Sequence, residues 1–351
     1  VKAMILAAGV GSRLDPLTRT VPKPMVPVVN RPVLEHLVDL LVRHGCSRVV
    51  MNTHYLAERI EEHFGNGEAF GTEVIYSREE RLLGTAGGVK RVAEHFDDTF
   101  VVIGGDDLTD VNLSEMIDFH RERKALVTIG LSVVDDPSQF GVVLLGENGA
   151  VRRFVEKPGR GEVFSNRVNA QVYILEPEVL KMIPDGVPYD FGKQLFPRLL
   201  REGYPFYGYE MHSYWCDIGS LTQYRRANLD ALNGVAPVNF TVPEVERGLW
   251  VGDGVRIAPS AEIGRPVVLG DGCIIESGAR VMENSILGAG VVVEEGAIVR
   301  HSILWEGAEI QHGTILERCV VGRHCRVKSN AAIFDGIVVD PGRSEAPSLG
   351  R

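Results

Sequence analysis

The chain lacks any lysine- and arginine-rich run of the kind that grips a polyanion. Its balance is acidic, with 37 Lys and Arg against 47 Asp and Glu and a net charge of −10. That argues against sequence-independent binding to DNA or RNA, which depends on surplus cations. Long apolar runs are missing too, and no segment reaches the length that spans a bilayer. The opening apolar stretch is one short strand running into a glycine turn, without the long apolar core and cleavage site of a secretory signal. Cysteine is scarce. Cys46, Cys216, Cys273, Cys319 and Cys325 are odd in number and form no CxxC pair, a pattern that points to reduced thiols in a cytoplasm.

What the chain does have is two rhythms. At 351 residues, 44% apolar and 24% charged, it is long enough for two domains of ordinary size. Up to about residue 232, short apolar runs of strand type (3–7, 48–52, 73–76, 100–104 and 125–134) alternate with helical patterns. The clearest helix starts near Pro32, puts Val33, Leu34, Leu37, Val38, Leu41 and Val42 on one face, and stops at Gly45. Alternation of this kind predicts an α/β domain with a Rossmann-like, mainly parallel sheet covered by helices. Ligands on such sheets sit at the carboxyl ends of strands.

After a linker at 233–247 the period changes to six. Val251, Ile257, Ile263, Leu269, Ile275, Val281, Leu287, Val293 and Val299 are all aliphatic. The series slips by one, resumes at Leu304, Ile310 and Leu316, slips again, and continues at Val321, Val327, Ile333 and Val339. Small or compact residues follow four positions later, as at Cys273, Ala279, Ser285 and Ala297. This is a hexapeptide repeat, and it predicts a parallel β-helix over 248–342, followed by a tail at 343–351. The open end or a side of such a prism invites stacking, so a homo-oligomer is expected through the β-helix, the first domain, or both.

One stretch carries chemistry: "LAAGVGSRLDPLTRTVPKPM", Leu6 to Met25. Gly9 and Gly11 suit a turn whose backbone N–H groups approach an anion closely. Arg13 offers a fork of donors to phosphate, and Lys23, braced by Pro22 and Pro24, a point charge. The dinucleotide fingerprint GxGxxG fails at Leu14, and no Gly-Lys-Ser/Thr closes a P-loop. Two cations and a donor-rich loop suit a polyphosphate.

These residues resemble the signature of the sugar-1-phosphate nucleotidyltransferases (nucleotide-sugar pyrophosphorylases). "LLGTAGG" (82–88), "GGDDLTD" (104–110), "QFGVV" (139–143), "FVEKP" (154–158), "VNAQVYIL" (168–175) and "YWCDIG" (214–219) follow in the family's order. The longer members also carry a left-handed β-helix tail. The "LGTAGG" loop, "FVEKP" and "YDFGKQLFP" (189–197) resemble mannose-1-phosphate guanylyltransferases in particular.

The resemblance implies that an NTP, GTP first among them, and a sugar 1-phosphate give an NDP-sugar and pyrophosphate with Mg²⁺. Leu6, Ala8, Gly9, Gly11, Ser12, Arg13, Lys23, Gly84, Thr85 and Asp106 would bind the nucleotide. Asp106 and Asp217 would hold the metal, and these two with Arg13 and Lys23 would carry catalysis. Gly141, Glu156, Lys157 and Asn169 would bind the sugar phosphate with Asp217. Glu79 and Glu80 precede the base loop, and a carboxylate suits the paired donors on guanine's edge. One departure from the family pattern is Gln171, where Asn-Ala is usually followed by glycine. It adds a carboxamide beside the sugar pocket and leaves the sugar open: mannose, glucose, a heptose or a cyclitol. Other classes remain for test. A hexapeptide acyltransferase would look to His301, His312 and His324, but no pantetheine-binding extension is evident. A non-catalytic sensor subunit would be expected to lack residues such as Arg13, Lys23, Asp106 and Asp217.

Overall fold

A computed structural model describes residues 1–159 and 161–339; the expected tail at 343–351 lies outside the described residues. The chain forms two compact units. The first comprises Val1–Val10, Pro22–Pro24 and Val33–Ile218; the second comprises Gly11–Val21, Met25–Pro32 and the chain from Gly219 onward.

The first unit is a nine-stranded mixed sheet with helices. Its strands are β1 (Lys2–Leu6), β2 (Arg48–Thr53), β3 (Glu73–Arg78), β4 (Phe100–Gly104), β6 (Val127–Val133), β7 (Gly141–Leu145), β8 (Val151–Glu156), β9 (Arg167–Leu175) and β10 (Phe206–Glu210). The order runs β8-β7-β9-β4-β1-β2-β3, with β6 joining β9 to β10. The strands β4, β1, β2 and β3 are parallel, and β9 runs antiparallel to β4, β6 and β7. The central strands β1 and β4 are wholly apolar in their interiors and buried on both faces, as helices on a parallel sheet require. A separate two-stranded ribbon pairs β5 (Asp107–Thr109) with β11 (Trp215–Asp217), antiparallel.

The expected helix is α1 (Val33–Arg43). It ends in two bonds, Gly45 N–H to Val42 O and Cys46 N–H to Leu41 O, with Gly45 at φ 77°. Glycine suits that left-handed stop because it has no Cβ to clash. The other helices of this unit are α2 (Ala57–Phe64), α3 (Gly84–Arg91), α4 (Leu113–Glu122) and α5 (Phe196–Glu202). Helix α4 is capped by the Asn112 side chain, which accepts from Glu115 N–H.

The second unit is built on a parallel β-helix. Three stacked sheets run up the prism, beginning at Leu249–Val251, Arg256–Ile257 and Glu262–Ile263. The repeat positions from Leu269 to Val327 point inward and are buried, and so are Val267 before them and Cys273, Ala279, Val291 and Ala297 between them. The slips have a simple cause. Leu269 pairs with Leu287, but Leu287 pairs with Leu304 and Leu304 with Val321, so two coils are one residue short. The missing residue is always taken from one corner, where Asn284, His301, Arg318 and Asp335 all adopt left-handed φ. A third slip follows. Val321 pairs with Val338, so the expectation of Val339 at the aliphatic position is corrected by one residue.

The sheet that starts at Leu249 is apolar on its outer face too: Val268, Ile286, Ile303 and Val320 are buried. Within the same unit, α6 (Leu221–Leu232) and the hairpin Pro27–Val28/Arg31–Pro32 are tied to it and to each other. Trp305 Nε1 donates to the Tyr224 hydroxyl at 2.8 Å, which donates to Pro27 O. Asn30 Nδ2 donates to Leu287 O, and Val29 N–H to Asn228 Oδ1.

Candidate active site

The first unit gathers charge where β1 and β4 end. After β4 the backbone turns over the end of β1, with Gly105 N–H bonded to Leu6 O at 3.0 Å. A Cβ at Gly105 would meet Leu6 O at 2.8 Å, so only glycine fits that crossing. The turn presents Asp106. The β5–β11 ribbon then brings in Asp217 from far along the chain: Asp217 faces Asp107 in register, and Ile218 N–H bonds Asp106 O at 2.9 Å.

Lys23 sits among these carboxylates. Its ammonium pairs with Asp106 and lies 3.7 Å from an oxygen of Asp217, with only 7% of the residue exposed. Burial pulls its pKa down, but Asp106 and Asp217 outweigh burial and the net shift is upward. Asp107 is buried completely, and neither of its oxygens is hydrogen-bonded among the described residues. The nearby Trp215 indole N–H is committed to Ala170 O at 3.1 Å. Burial, then the charges of Asp106 and Asp217, push the Asp107 carboxyl well above the usual range.

The glycine loop divides between the units. Leu6, Ala8 and Gly9 belong to the first, while Gly11, Ser12 and Arg13 belong to the second. Gly11 is left-handed at φ 72°, Ser12–Leu14 form a 3₁₀ turn, and Thr18 Oγ1 donates to Gly11 O. Ser12 and Arg13 are exposed.

A brace missed by sequence reasoning joins the loop strand to the loop before α3. Asn52, the polar residue near the end of β2, accepts from Ala7 N–H at 2.9 Å and donates to Glu79 Oε1 at 2.8 Å. Glu79 Oε2 accepts from Leu83 N–H at 2.9 Å. The expectation that Glu79 reads a base edge is corrected here. At 2% exposure, with both oxygens engaged inside the protein, it holds backbone in place. Glu80 is the exposed member of the pair. Gly84 and Thr85 open α3, where Asp190 Oδ1 accepts from Thr85 N–H at 3.1 Å and Ala86 and Gly87 donate to Tyr189 O.

A second cluster forms where β7 and β8 pair, with Gly141 opposite Glu156. Glu156 Oε2 lies over the Cα atoms of Gly141 and Gly192, where a Cβ would come within 2.9 and 2.4 Å of it. Burial raises the Glu156 carboxyl, against the opposing pull of Lys157 and Lys193. Asn169 is nearly buried. It donates to the Tyr173 hydroxyl at 2.9 Å and accepts from Gln171 N–H at 2.9 Å. Lys157 is exposed, with left-handed φ. Asp190, Lys193 and Tyr173 lie in stretches that drew notice only for their likeness. Their part shows once the chain is folded.

Residues 2–234 match the Nucleotidyl transferase family, and residues 245–341 match the GMPPB C-terminal domain. The chain belongs to the nucleotidyl transferase family. A Synechocystis UTP–glucose-1-phosphate uridylyltransferase is 39% identical over 95% of this chain and 90% of that protein. A Mycobacterium tuberculosis mannose-1-phosphate guanylyltransferase is 35% identical over 97% of this chain and 82% of that one. Among solved structures, HddC from Yersinia pseudotuberculosis complexed with GMP-PN is similar at TM-score 0.56 and 25% identity, over 65% of this chain and 97% of that one.

This nucleotidyl transferase carries its repeat histidines apart. His301, His312 and His324 sit at three different corners of the prism, each between a different pair of strands. No helix among the described residues is long and apolar enough to cross a membrane.

Proposed function

We propose that the chain joins GTP and a sugar 1-phosphate, mannose 1-phosphate first, into a GDP-sugar with release of pyrophosphate. The observation that carries this is one buried cation, Lys23, held between Asp106 and Asp217 at the carboxyl ends of β4 and β11. The match to the GMPPB C-terminal domain and the guanylyltransferase relative favour GTP and mannose.

The attacking sugar-phosphate oxygen is already an anion, so no general base is required. The barrier lies in bringing anions together and in charge on the departing pyrophosphate, and positioning and electrostatics answer it. Backbone N–H groups around Gly9 and Gly11, with Ser12 and Arg13, take the phosphates. Leu6, Ala8, Gly84 and Thr85 line the base pocket. Gly141, Glu156, Lys157 and Asn169 take the sugar and its phosphate, with Gln171 beside them.

Mg²⁺ fits Asp106 and Asp217. Among the described residues no group of three or more ligating side chains occurs, and Mg²⁺ is commonly held by one or two carboxylates, with phosphates and water completing its shell. The Lys23 ammonium already stands between the two carboxylates as a cation. Held there, the ion would supply neutralisation of charge on the α-phosphate and incoming phosphate. Lys23 would add its own positive charge to the polyphosphate. The five buried cysteines, none in a disulfide, support a reducing, cytoplasmic setting. The first end of the prism, where Ile257 is 41% exposed, supports a homo-oligomer.

A second reading, UTP with glucose 1-phosphate, is favoured by the Synechocystis relative. Pyrophosphate release from GTP or UTP, each with mannose or glucose 1-phosphate, decides between them. We expect the GTP–mannose pair to lead, with turnover lost in EDTA and restored by Mg²⁺. Silence of all four pairs in Mg²⁺ overturns the reading.

A further inference from the structure

Gln171 lies inside β9 yet has φ 55°. Among the described residues it is the only non-glycine residue within a strand to do so. An L-residue in that region is strained, and such strain persists only where the surrounding structure enforces it, often at functional sites. Asn169 helps to enforce it, because its side-chain oxygen accepts from Gln171 N–H. The pairing of β9 with β6 shifts register between Asn169 and Tyr173, around this residue.

The strain aims the side chain. Gln171 lies against Gly104, the last residue of β4, where a Cβ would stand 3.1 Å from Gln171 Cβ and 3.3 Å from its Oε1. The same Cβ would meet Asp107 Oδ2 at 2.3 Å, so the carboxamide and the acidic turn share one space. Gln171 is half-buried, and its carboxamide makes no hydrogen bond to the protein among the described residues. A glycine here would adopt the same backbone without strain. The residue therefore keeps a strained conformation that brings a carboxamide, with free donors and acceptor, between Asn169 and the Asp106 turn.

We infer that Gln171 determines specificity for the acceptor, its carboxamide hydrogen-bonding a ring hydroxyl of the sugar 1-phosphate and so distinguishing epimers. This rests on the proposed function for the reaction and deepens it at the acceptor. A site built to bond a hydroxyl rejects the analogue that leaves its buried polar group unpaired.

The test compares the unaltered protein with Gln171→Gly and Gln171→Asn. Glycine removes the carboxamide and the strain. Asparagine tolerates left-handed φ and withdraws the carboxamide by one methylene. We expect both variants to bring the ratio of kcat/KM for mannose and glucose 1-phosphates at least tenfold closer to one, with KM for the nucleotide unchanged. Gln171→Gly should also melt higher. A ratio unchanged within twofold in both variants overturns the inference. So does a nucleotide KM that moves as much as the acceptor's, which would mark a general disturbance of the site. Should the unaltered protein release no pyrophosphate with any pair, the proposed function falls, and calorimetric binding of the two sugar 1-phosphates replaces turnover. Variants that then bind both with the parent's relative affinities overturn the inference as well.

Discussion

The pairing of Lys23 with two carboxylates can be probed by substitution. In the free protein it neutralises Asp106 and Asp217, and Asp107 lies within reach of its charge. Lys23→Met leaves that acidic group without its cation. We expect a stability loss of about 1–3 kcal/mol by urea denaturation, below the full value for a buried pair because Asp106 is partly exposed. Asp106→Asn and Asp217→Asn should keep the fold by circular dichroism and lower kcat by about 10²-fold or more, the order seen when a transition-state contact is removed. Near-normal turnover of either in Mg²⁺ would remove it from the metal site. Glu79→Gln probes the brace. Both of its oxygens accept, so an amide must place NH₂ against Asn52 Nδ2 or Leu83 N–H. A cost of about 1–3 kcal/mol is expected, with little effect from Glu80→Gln. The reverse order would restore Glu79 as a reader of the base.

At the level of elements, helix α3 shows how tertiary contact overrides local preference. Alanine is favoured over glycine in a helix by up to about 1 kcal/mol. Gly88, however, lies against the brace, and a Cβ there would meet Glu79 Oε1 at 2.8 Å and Asn52 Nδ2 at 2.9 Å. We expect Gly88→Ala to destabilise by about 1–3 kcal/mol and to raise KM for the nucleotide. A higher melting temperature would contradict the packing. The strands and the first helix were legible because each buries an apolar stripe of its own period. The six-residue period was legible as far as Ile333 for the same reason. It misplaced Val339 because the coil is shortened at a corner, and corners carry no aliphatic mark.

At the scale of the whole molecule, burial governs the cysteines. All five are buried thiols outside any disulfide, and burial pushes the Cys46 and Cys273 thiols up to about 11. The thiolate is the reactive form, so native protein at pH 8 should show almost no reaction with Ellman's reagent, and all five should react after unfolding. Between about pH 9 and 11 the unfolded chain loses these protons and the folded chain keeps them. Stability should therefore fall as pH rises through that window, by about 2–3 kcal/mol for each thiol. Native thiols that react quickly at pH 8 would refute the burial. Truncation before residue 248 removes Trp305 and Leu287, and with them the partners of Tyr224 and Asn30 within the second unit. We expect the shortened chain to melt lower and to aggregate by light scattering.

The order of the sequence by itself determined the two rhythms, the sheet domain, the repeat prism and the residue types proposed to meet phosphate. Those features are local: a period, a glycine turn, a carboxylate at the end of an apolar strand. Only the tertiary structure decided which carboxylates share a cation, because Asp217 reaches Asp106 through the pairing of β5 with β11. It also decided that Glu79 faces inward while Glu80 faces out, and that Gln171 takes a glycine's conformation. Such outcomes depend on which distant groups fill each donor and acceptor, and nothing in the neighbouring residues encodes that.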